Sequence, residues 1–144
     1  MTLAEKKHSL IAELSAIRDP QHRFAHVIAK GCNRPPLNPD YKVDEFKVEG
    51  CLASLWFVPV YMNGKCHFQS DSDSAIVRGV AGLICEFYSG SSPAEILAAN
   101  TSFLQDVGVN QHLTQNRKNG LGRLEEKIKE FTRSHIPPET VGIS

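Results

Sequence analysis

The chain has 144 residues, of which 41% are hydrophobic, and its 16 basic side chains balance its 16 acidic ones. This length is sufficient for one domain with a single hydrophobic core, which needs neither disulfides nor a metal to be stable. The balanced charge, without a long run of one sign, disfavours nucleic acid and membrane surfaces as partners.

Apolar residues at helical spacing predict two helices at the start of the chain. Asp19 and Pro20 are typical of the N-cap and the first turn of the second helix. Prolines between Gly31 and Pro39 then predict a connecting loop. The apolar face of the first helix consists of Leu3, Leu10, Ile11, Leu14 and Ile17.

Three short strands are predicted next. Apolar and charged residues alternate over 46–48, and the run 55–61 is rich in aromatic and β-branched residues. Asn63-Gly64 predicts a hairpin turn between that run and a third strand over 65–70. Because Pro59 has no amide hydrogen, we expect its amide position to face a sheet edge or a bulge.

Helical patterns return in the second half of the chain. Capping oxygens in Asp71-Ser72-Asp73-Ser74 predict the start of a helix whose apolar positions repeat as far as Phe87. Ser92-Pro93-Ala94-Glu95 combines an N-cap, a first-turn proline and a capping-box glutamate. Thr114 is a candidate cap for the last helix, which Pro137-Pro138 ends.

This order of elements predicts an α+β fold. We expect a single domain over residues 1–144, in which helices pack on an antiparallel sheet of about three strands. The tail from about residue 137 is expected to fray.

The four cysteines are interpreted as reduced thiols. The N-terminus has no apolar signal core and no segment reaches membrane length, so a cytoplasmic protein is expected. No CxxC pair or close ligand pair is present, which disfavours a metal site. Cys51 follows Gly50 immediately before an apolar strand, where a thiol is accessible. The others fit packing roles and are Cys32, Cys66 and Cys85.

Three separated segments together resemble the SufE family of sulfur acceptors for iron–sulfur cluster assembly. Val48-Glu49-Gly50-Cys51 followed by Trp56 is similar to the family's active-cysteine motif. Residues 71–79 are similar to its acidic helix start, and residues 111–121 to its third motif. The resemblance runs from about the second helix to the end of the last one, and it implies a SufE/IscU-like fold.

The resemblance implies that Cys51 accepts sulfur as a persulfide from a cysteine desulfurase, SufS- or CsdA-like, that itself uses pyridoxal phosphate. The protein would stimulate that desulfurase and pass the sulfur to an iron–sulfur scaffold. It would be a persulfide carrier rather than a stand-alone enzyme, with no cofactor or metal of its own. The resemblance does not separate a SufE proper from a CsdE-type partner.

Further site residues follow from the matched motifs. Gly50 and Trp56 belong to the cysteine motif, and the resemblance assigns Asp73 to positioning the cysteine loop or contacting the desulfurase. Arg117 sits unfavourably at a helix start, which favours a pairing or partner-binding role. His112 is a weaker candidate, because a single histidine is more often a polar packing residue.

The cysteine loop also shows a departure and an electrostatic expectation. The family commonly has a serine two residues after the active cysteine, where this chain has Ala53, and this difference affects loop packing or partner preference. No Lys, Arg or His adjoins Cys51 in the sequence, and Glu49 opposes its ionisation. We therefore expect a sluggish thiol that is activated largely by the docked desulfurase.

Two alternatives remain open. One is a non-covalent allosteric adaptor of a cysteine desulfurase, which would not require Cys51. The other is a cysteine hydrolase or thiol oxidoreductase, which the lack of CxxC and of a Cys/His/acid constellation disfavours.

Overall fold

The computed structural model describes residues 2–50 and 52–136, and the predicted fraying from about residue 137 lies outside them. Helices precede and follow one β-hairpin. The elements are α1 (Leu3–Ser15), α2 (Pro20–Cys32), β1 (Leu55–Met62), β2 (Lys65–Ser72), α3 (Ala75–Tyr88), α4 (Pro93–Ala98), α5 (Phe103–Asp106) and α6 (Gln115–Arg133). This arrangement confirms the predicted α+β fold.

Side-chain caps explain where several helices begin. The carboxylate of Asp19 accepts a hydrogen bond from the amide of His22 at 3.1 Å, which confirms the predicted start of α2. Ser74 caps α3 through its hydroxyl. The expectation that Asp71 and Asp73 also cap α3 is wrong, because both carboxylates accept hydrogen bonds from other segments.

The sheet consists of an antiparallel hairpin, with Leu55 opposite Ser72. Asn63 and Gly64 both have positive φ angles, 55° and 77°, which confirms the predicted turn. Within the described residues, the first predicted strand is reduced to one bridge between Lys47 and Trp56. Gly50 follows three residues after Lys47 with φ 89° and turns the backbone, which ends the pairing.

Pro59 lies where its missing amide hydrogen costs no ladder bond. It is paired with Phe68, whose amide donates to the hydroxyl of Ser89 at 2.9 Å and whose carbonyl accepts from it at 3.2 Å. Since both polar groups of Phe68 point away from β1, the nitrogen of Pro59 faces the outer edge of the sheet. The prediction for Pro59 is confirmed.

Helix α3 lies at the centre of the core, against the sheet, α2 and α6. Two glycines, Gly31 of α2 and Gly79 of α3, allow the backbones of these helices to approach closely. Several short elements were not predicted, because they are too short to show an apolar period. They are α5 and the 3₁₀ turns at 39–41, 44–46 and 109–112. Among the described helices, none is both long and apolar enough to cross a membrane.

Candidate functional site

The candidate site is the loop between the Lys47 bridge and the start of β1. Its central residue, Cys51, lies outside the described residues, so the site is built from its neighbours. Gly50 has φ 89°, a backbone conformation that residues with a Cβ rarely adopt. Gly50 and Leu52 are both exposed, so the chain on either side of Cys51 lies at the surface.

The hairpin register places Asp73 against the end of this loop. Leu55 is opposite Ser72, so Ser54 and Asp73 are neighbours just beyond the paired strands. The amide of Ser54 donates to Oδ1 of Asp73 at 3.0 Å, and the carbonyl of Ser54 accepts from the hydroxyl of Ser72 at 2.6 Å. These bonds hold the residue three positions after Cys51.

A second anchor comes from the first turn of α6. Oδ1 of Asn116 accepts a hydrogen bond from the amide of Leu52 at 3.0 Å. Asn116 was not singled out in the sequence, although it lies within the third segment of the family resemblance. Its neighbour Arg117, which was predicted as a site residue, is half-buried beside it in the same turn. Helix α6 thus brings Asn116, which was not predicted, to the loop, whereas no hydrogen bond or ion pair joins the side chain of Arg117 to the described residues of the loop.

A third contact involves Arg123, farther along α6. A Cβ atom built on Gly50 would lie 3.5 Å from Cγ and 3.6 Å from Nε of Arg123. The Arg123 side chain is 61% exposed, and its Nη1 lies 3.8 Å from Oε2 of Glu126. No local sequence pattern pointed to Arg123, because it is far from Cys51 along the chain and comes close only through the fold.

The apolar residues after Cys51 do not share one environment. Leu52 is 89% exposed, whereas Leu55 is fully buried and Phe57 is 5% exposed. Leu55 and Phe57 are therefore core residues of the sheet. Leu52, in contrast, points its side chain into solvent.

The two remaining predicted site residues, Trp56 and His112, have different surroundings. Trp56 is half-buried at the start of β1, with Nζ of Lys42 5.7 Å from its ring centroid. His112 stacks on Phe24 of α2, with ring centroids 5.0 Å apart. Among the described residues, the buried Nε2 of His112 has no hydrogen-bond partner. This environment is that of a packing residue.

The comparisons with known proteins assign the chain to a family. A family model described as "SufE: Fe-S metabolism associated domain" matches residues 8–132. The chain belongs to the SufE family. This result supports a role in iron–sulfur metabolism, in agreement with the resemblance of the three sequence segments.

Individual relatives are about 30% identical to this SufE-family chain over the aligned residues. The "SufE-like protein 1, chloroplastic/mitochondrial" of Arabidopsis thaliana is 30% identical over 121 residues, and the match covers 83% of this chain but 32% of that protein. An uncharacterised SufE-like protein of Rhizobium etli is 30% identical over 127 residues, with 84% and 85% of the two chains covered. This chain therefore spans about a third of the Arabidopsis relative.

A solved structure shows the same fold. The solution structure of a hypothetical protein from Thermus thermophilus superposes with a TM-score of 0.70 at 19% sequence identity. The match covers 93% of this chain and 97% of the other. The arrangement of helices around the hairpin is therefore shared with an experimentally determined structure.

The described thiols have packing environments. Cys66 and Cys85 are fully buried, and burial raises the pKa of Cys85 to about 12. Cys32 is the last residue of α2 rather than a loop residue, and its half-buried thiol donates to the carbonyl of Ala75 at 3.4 Å. Within the described part of the chain, no group of three or more potential ligands is placed to hold a metal ion.

Each of the two loop anchors should protect one particular backbone amide from hydrogen exchange. Asp73→Ala removes the acceptor for the Ser54 amide, and Asn116→Ala removes the acceptor for the Leu52 amide. Exposed hydrogen bonds contribute modestly to local stability. Each variant should therefore speed exchange about threefold to tenfold at the amide that has lost its acceptor. Exchange measured by NMR in both variants checks this. Equal exchange at both amides in wild type and variants would contradict the anchoring roles.

Proposed function

We propose that this protein accepts persulfide sulfur from a cysteine desulfurase onto Cys51, stimulates that desulfurase, and passes the sulfur on for iron–sulfur cluster assembly. The observation that carries the proposal is the SufE-family match over residues 8–132, which includes the motif at Gly50-Cys51. In this function the protein is a carrier that forms a transient covalent intermediate, and the pyridoxal phosphate chemistry belongs to the desulfurase.

The transfer itself is a thiol exchange that needs no external oxidant or reductant. The Cys51 thiolate attacks the terminal sulfur of the desulfurase persulfide, so a new sulfur–sulfur bond forms on Cys51. The sulfur–sulfur bond of the desulfurase breaks, and its cysteine leaves as a thiolate. Sulfur passes onward from Cys51 by attack of a recipient thiolate in the same way.

The loop geometry suits such an exchange. The backbone is held on the far side of Cys51 by Asn116 and Asp73, and Gly50 supplies a turn on the near side. Because the flanks of the loop are anchored, the loop has fewer conformations to lose on docking. This lowers the entropic cost of reaching an in-line geometry. The exposed side chain of Leu52 offers an apolar contact to a partner beside the thiol.

Desulfurase turnover distinguishes a sulfur relay from an adaptor. With a cysteine desulfurase and cysteine, wild-type protein should raise the rate of alanine formation, because Cys51 clears sulfur from the desulfurase. Cys51→Ser keeps the size of the side chain but removes the nucleophile, so the stimulation should be lost. Cys66 is buried, so Cys66→Ser is unsuitable as a control. Cys32 is half-buried, so Cys32→Ser is the control, and it should keep the stimulation.

Full stimulation by Cys51→Ser would contradict the relay. It would support the non-covalent adaptor, which stimulates the desulfurase by binding alone. To exclude a binding defect as the cause of a lost effect, Cys51→Ser should compete with wild-type protein for the desulfurase.

A further inference from the structure

A cavity of about 360 Å³ lies between the loop that follows α2, strand β2 and helix α3. The loop lines it with apolar side chains, whereas β2 contributes the polar side chains of Gln69 and Ser70. None of the described residues that line it belongs to the cysteine loop. The apolar lining residues are Pro35, Pro36 and Leu37.

Two polar atoms at this cavity are buried without a partner. Nε of Arg34 and the hydroxyl of Ser70 have no hydrogen-bond partner among the described residues, and both residues line the cavity. The thiol of Cys85 lies beside Ser70, but a thiol is a weak acceptor and this one forms no hydrogen bond of normal geometry with the hydroxyl. Because buried polar groups are nearly always paired, two unpaired donors at one cavity indicate a bound group that supplies acceptors.

The walls of the cavity are held in place by contacts within the protein. The amide of Leu37 donates to Oδ2 of Asp71 at 3.2 Å, which attaches the loop to β2. Gly82 of α3 leaves room for the stem of Arg34, since a Cβ on Gly82 would lie 3.3 Å from Cδ of Arg34. Sites for small molecules are usually formed before binding in this way, with a few polar groups among apolar ones.

The charges around the cavity favour a ligand with a single negative charge. Nη2 of Arg34 pairs with Glu86, but the two side chains are 33% and 51% exposed, so solvent screens this pair. Lys42 lies 3.1 Å from Asp71, and these two charges offset each other. Burial raises the pKa of Cys85, so its thiol is neutral. One partly neutralised guanidinium suits a carboxylate better than a doubly charged phosphate.

We propose that this cavity binds a small molecule that carries a carboxylate on a compact apolar body. The carboxylate oxygens accept hydrogen bonds from Nε of Arg34 and from the hydroxyl of Ser70. The apolar body packs against the prolines and Leu37. This site is separate from the sulfur relay and does not depend on it.

The test is an NMR titration of the whole chain with benzoate, followed through the backbone amide signals. Benzoate has one carboxylate on a flat ring, and benzamide has the same ring without the charge. Benzoate should cause saturable shifts at the amides of Leu37, Ser70 and Gly82, and benzamide should bind about tenfold more weakly. Equal binding of the two compounds, or no saturable shift at these amides, would overturn the proposal and leave water as the occupant.

Variants of the two donors test their roles. Arg34→Gln removes the charged donor and should weaken benzoate binding about tenfold, and Ser70→Ala removes the hydroxyl and should weaken it about threefold. Arg18→Gln makes the same change at an exposed arginine outside the cavity and should bind benzoate as wild type does. Unchanged binding in Arg34→Gln, or an equal loss in Arg18→Gln, would overturn the proposal.

Glu86→Gln tests the same guanidinium with the opposite sign. It keeps both donors of the cavity and releases Arg34 from its ion pair, so it remains decisive if Arg34→Gln does not fold. Benzoate should bind about twofold to fivefold more tightly, because the carboxylate of Glu86 no longer competes for Arg34. Unchanged or weaker binding in Glu86→Gln would overturn the role given to Arg34.

Discussion

Gly31→Ala is expected to destabilise the protein by about 3 kcal/mol, which lowers the melting temperature by roughly 10 °C. Gly31 lies near the end of α2, where its backbone faces the backbone of Gly79 in α3. A Cβ on Gly31 would overlap the carbonyl group of Gly79, and backbone atoms cannot rotate aside as a side chain can. The two helices would have to separate, which weakens the packing of α3 in the core. Thermal and urea unfolding measure this.

Gly122→Ala is the matched control for the helix contact. Gly122 lies in α6, and among the described residues no atom beyond its own stretch of helix lies within 4 Å of the added Cβ. Alanine is the better helix former, so this variant should be neutral or more stable by about 0.5 to 1 kcal/mol. A Gly31→Ala protein as stable as Gly122→Ala would show that the close approach of α2 and α3 is not required for the fold.

Asp71→Asn is expected to reduce the free energy of unfolding by about 2 to 4 kcal/mol near neutral pH. The Asp71 carboxylate is 2% exposed and lies 3.1 Å from Nζ of Lys42. It also accepts hydrogen bonds from the amides of Leu37 at 3.2 Å and Ser72 at 2.8 Å. An asparagine has one acceptor oxygen in place of two, so its amide group would face a donor. The loop that carries Leu37 would lose its attachment to β2.

The pH dependence of this loss has a definite sign. Burial acts to raise the pKa of Asp71, but the hydrogen bonds from Lys42, Ser72 and Leu37 together hold it below its ordinary value. The stabilisation is therefore fully present above the pKa of the unfolded chain, about 3.9, and is lost as the pH falls through the lower pKa of the folded state.

Unfolding measured at several pH values checks this dependence. The difference between wild type and Asp71→Asn should shrink as the pH falls below about 4. Asp44→Asn changes an exposed aspartate at a 3₁₀ turn and serves as the control, with little effect expected at any pH. A difference that stays constant or grows on acidification would contradict the role assigned to the Asp71 carboxylate.

Local features of the fold could be predicted from the sequence because their causes are local. The cap at Asp19 and the Asn63-Gly64 turn depend on a few neighbouring residues. Each needs a side chain or a backbone conformation that few other residue types provide. Pro59 was placed correctly at the sheet edge for the same reason, since it cannot donate a hydrogen bond. The hairpin and the main helices follow from these signals.

Contacts between distant segments could not be predicted in the same way. Asp71 and Asp73 have the right side chains for helix caps, but the register of the hairpin and the path of the Leu37 loop supply them with other donors. Asn116 and Arg123 reach the cysteine loop only because α6 packs across it. Such contacts depend on the complete tertiary arrangement rather than on any short pattern.

The candidate site was predictable in part for similar reasons. The motif at Gly50-Cys51 and the acidic segment containing Asp73 were recognisable together, and the fold brings Asp73 to the loop. The exposure of Leu52 could not be predicted from its apolar side chain, and nothing covers it among the described residues. Exposure beside a proposed transfer site has a physical reason if a partner covers Leu52 during docking.

The central claim is that Cys51 itself becomes the sulfur carrier, and the mass of its peptide tests this most directly. Wild-type protein would be incubated with a cysteine desulfurase and cysteine, alkylated, and digested before mass spectrometry. The alkylated peptide that contains Cys51 should carry the mass of one additional sulfur atom, which a reductant removes. The alkylated peptides with Cys32, Cys66 and Cys85 should carry no additional sulfur. An unmodified Cys51 peptide under conditions in which the desulfurase turns over and is stimulated would contradict the claim.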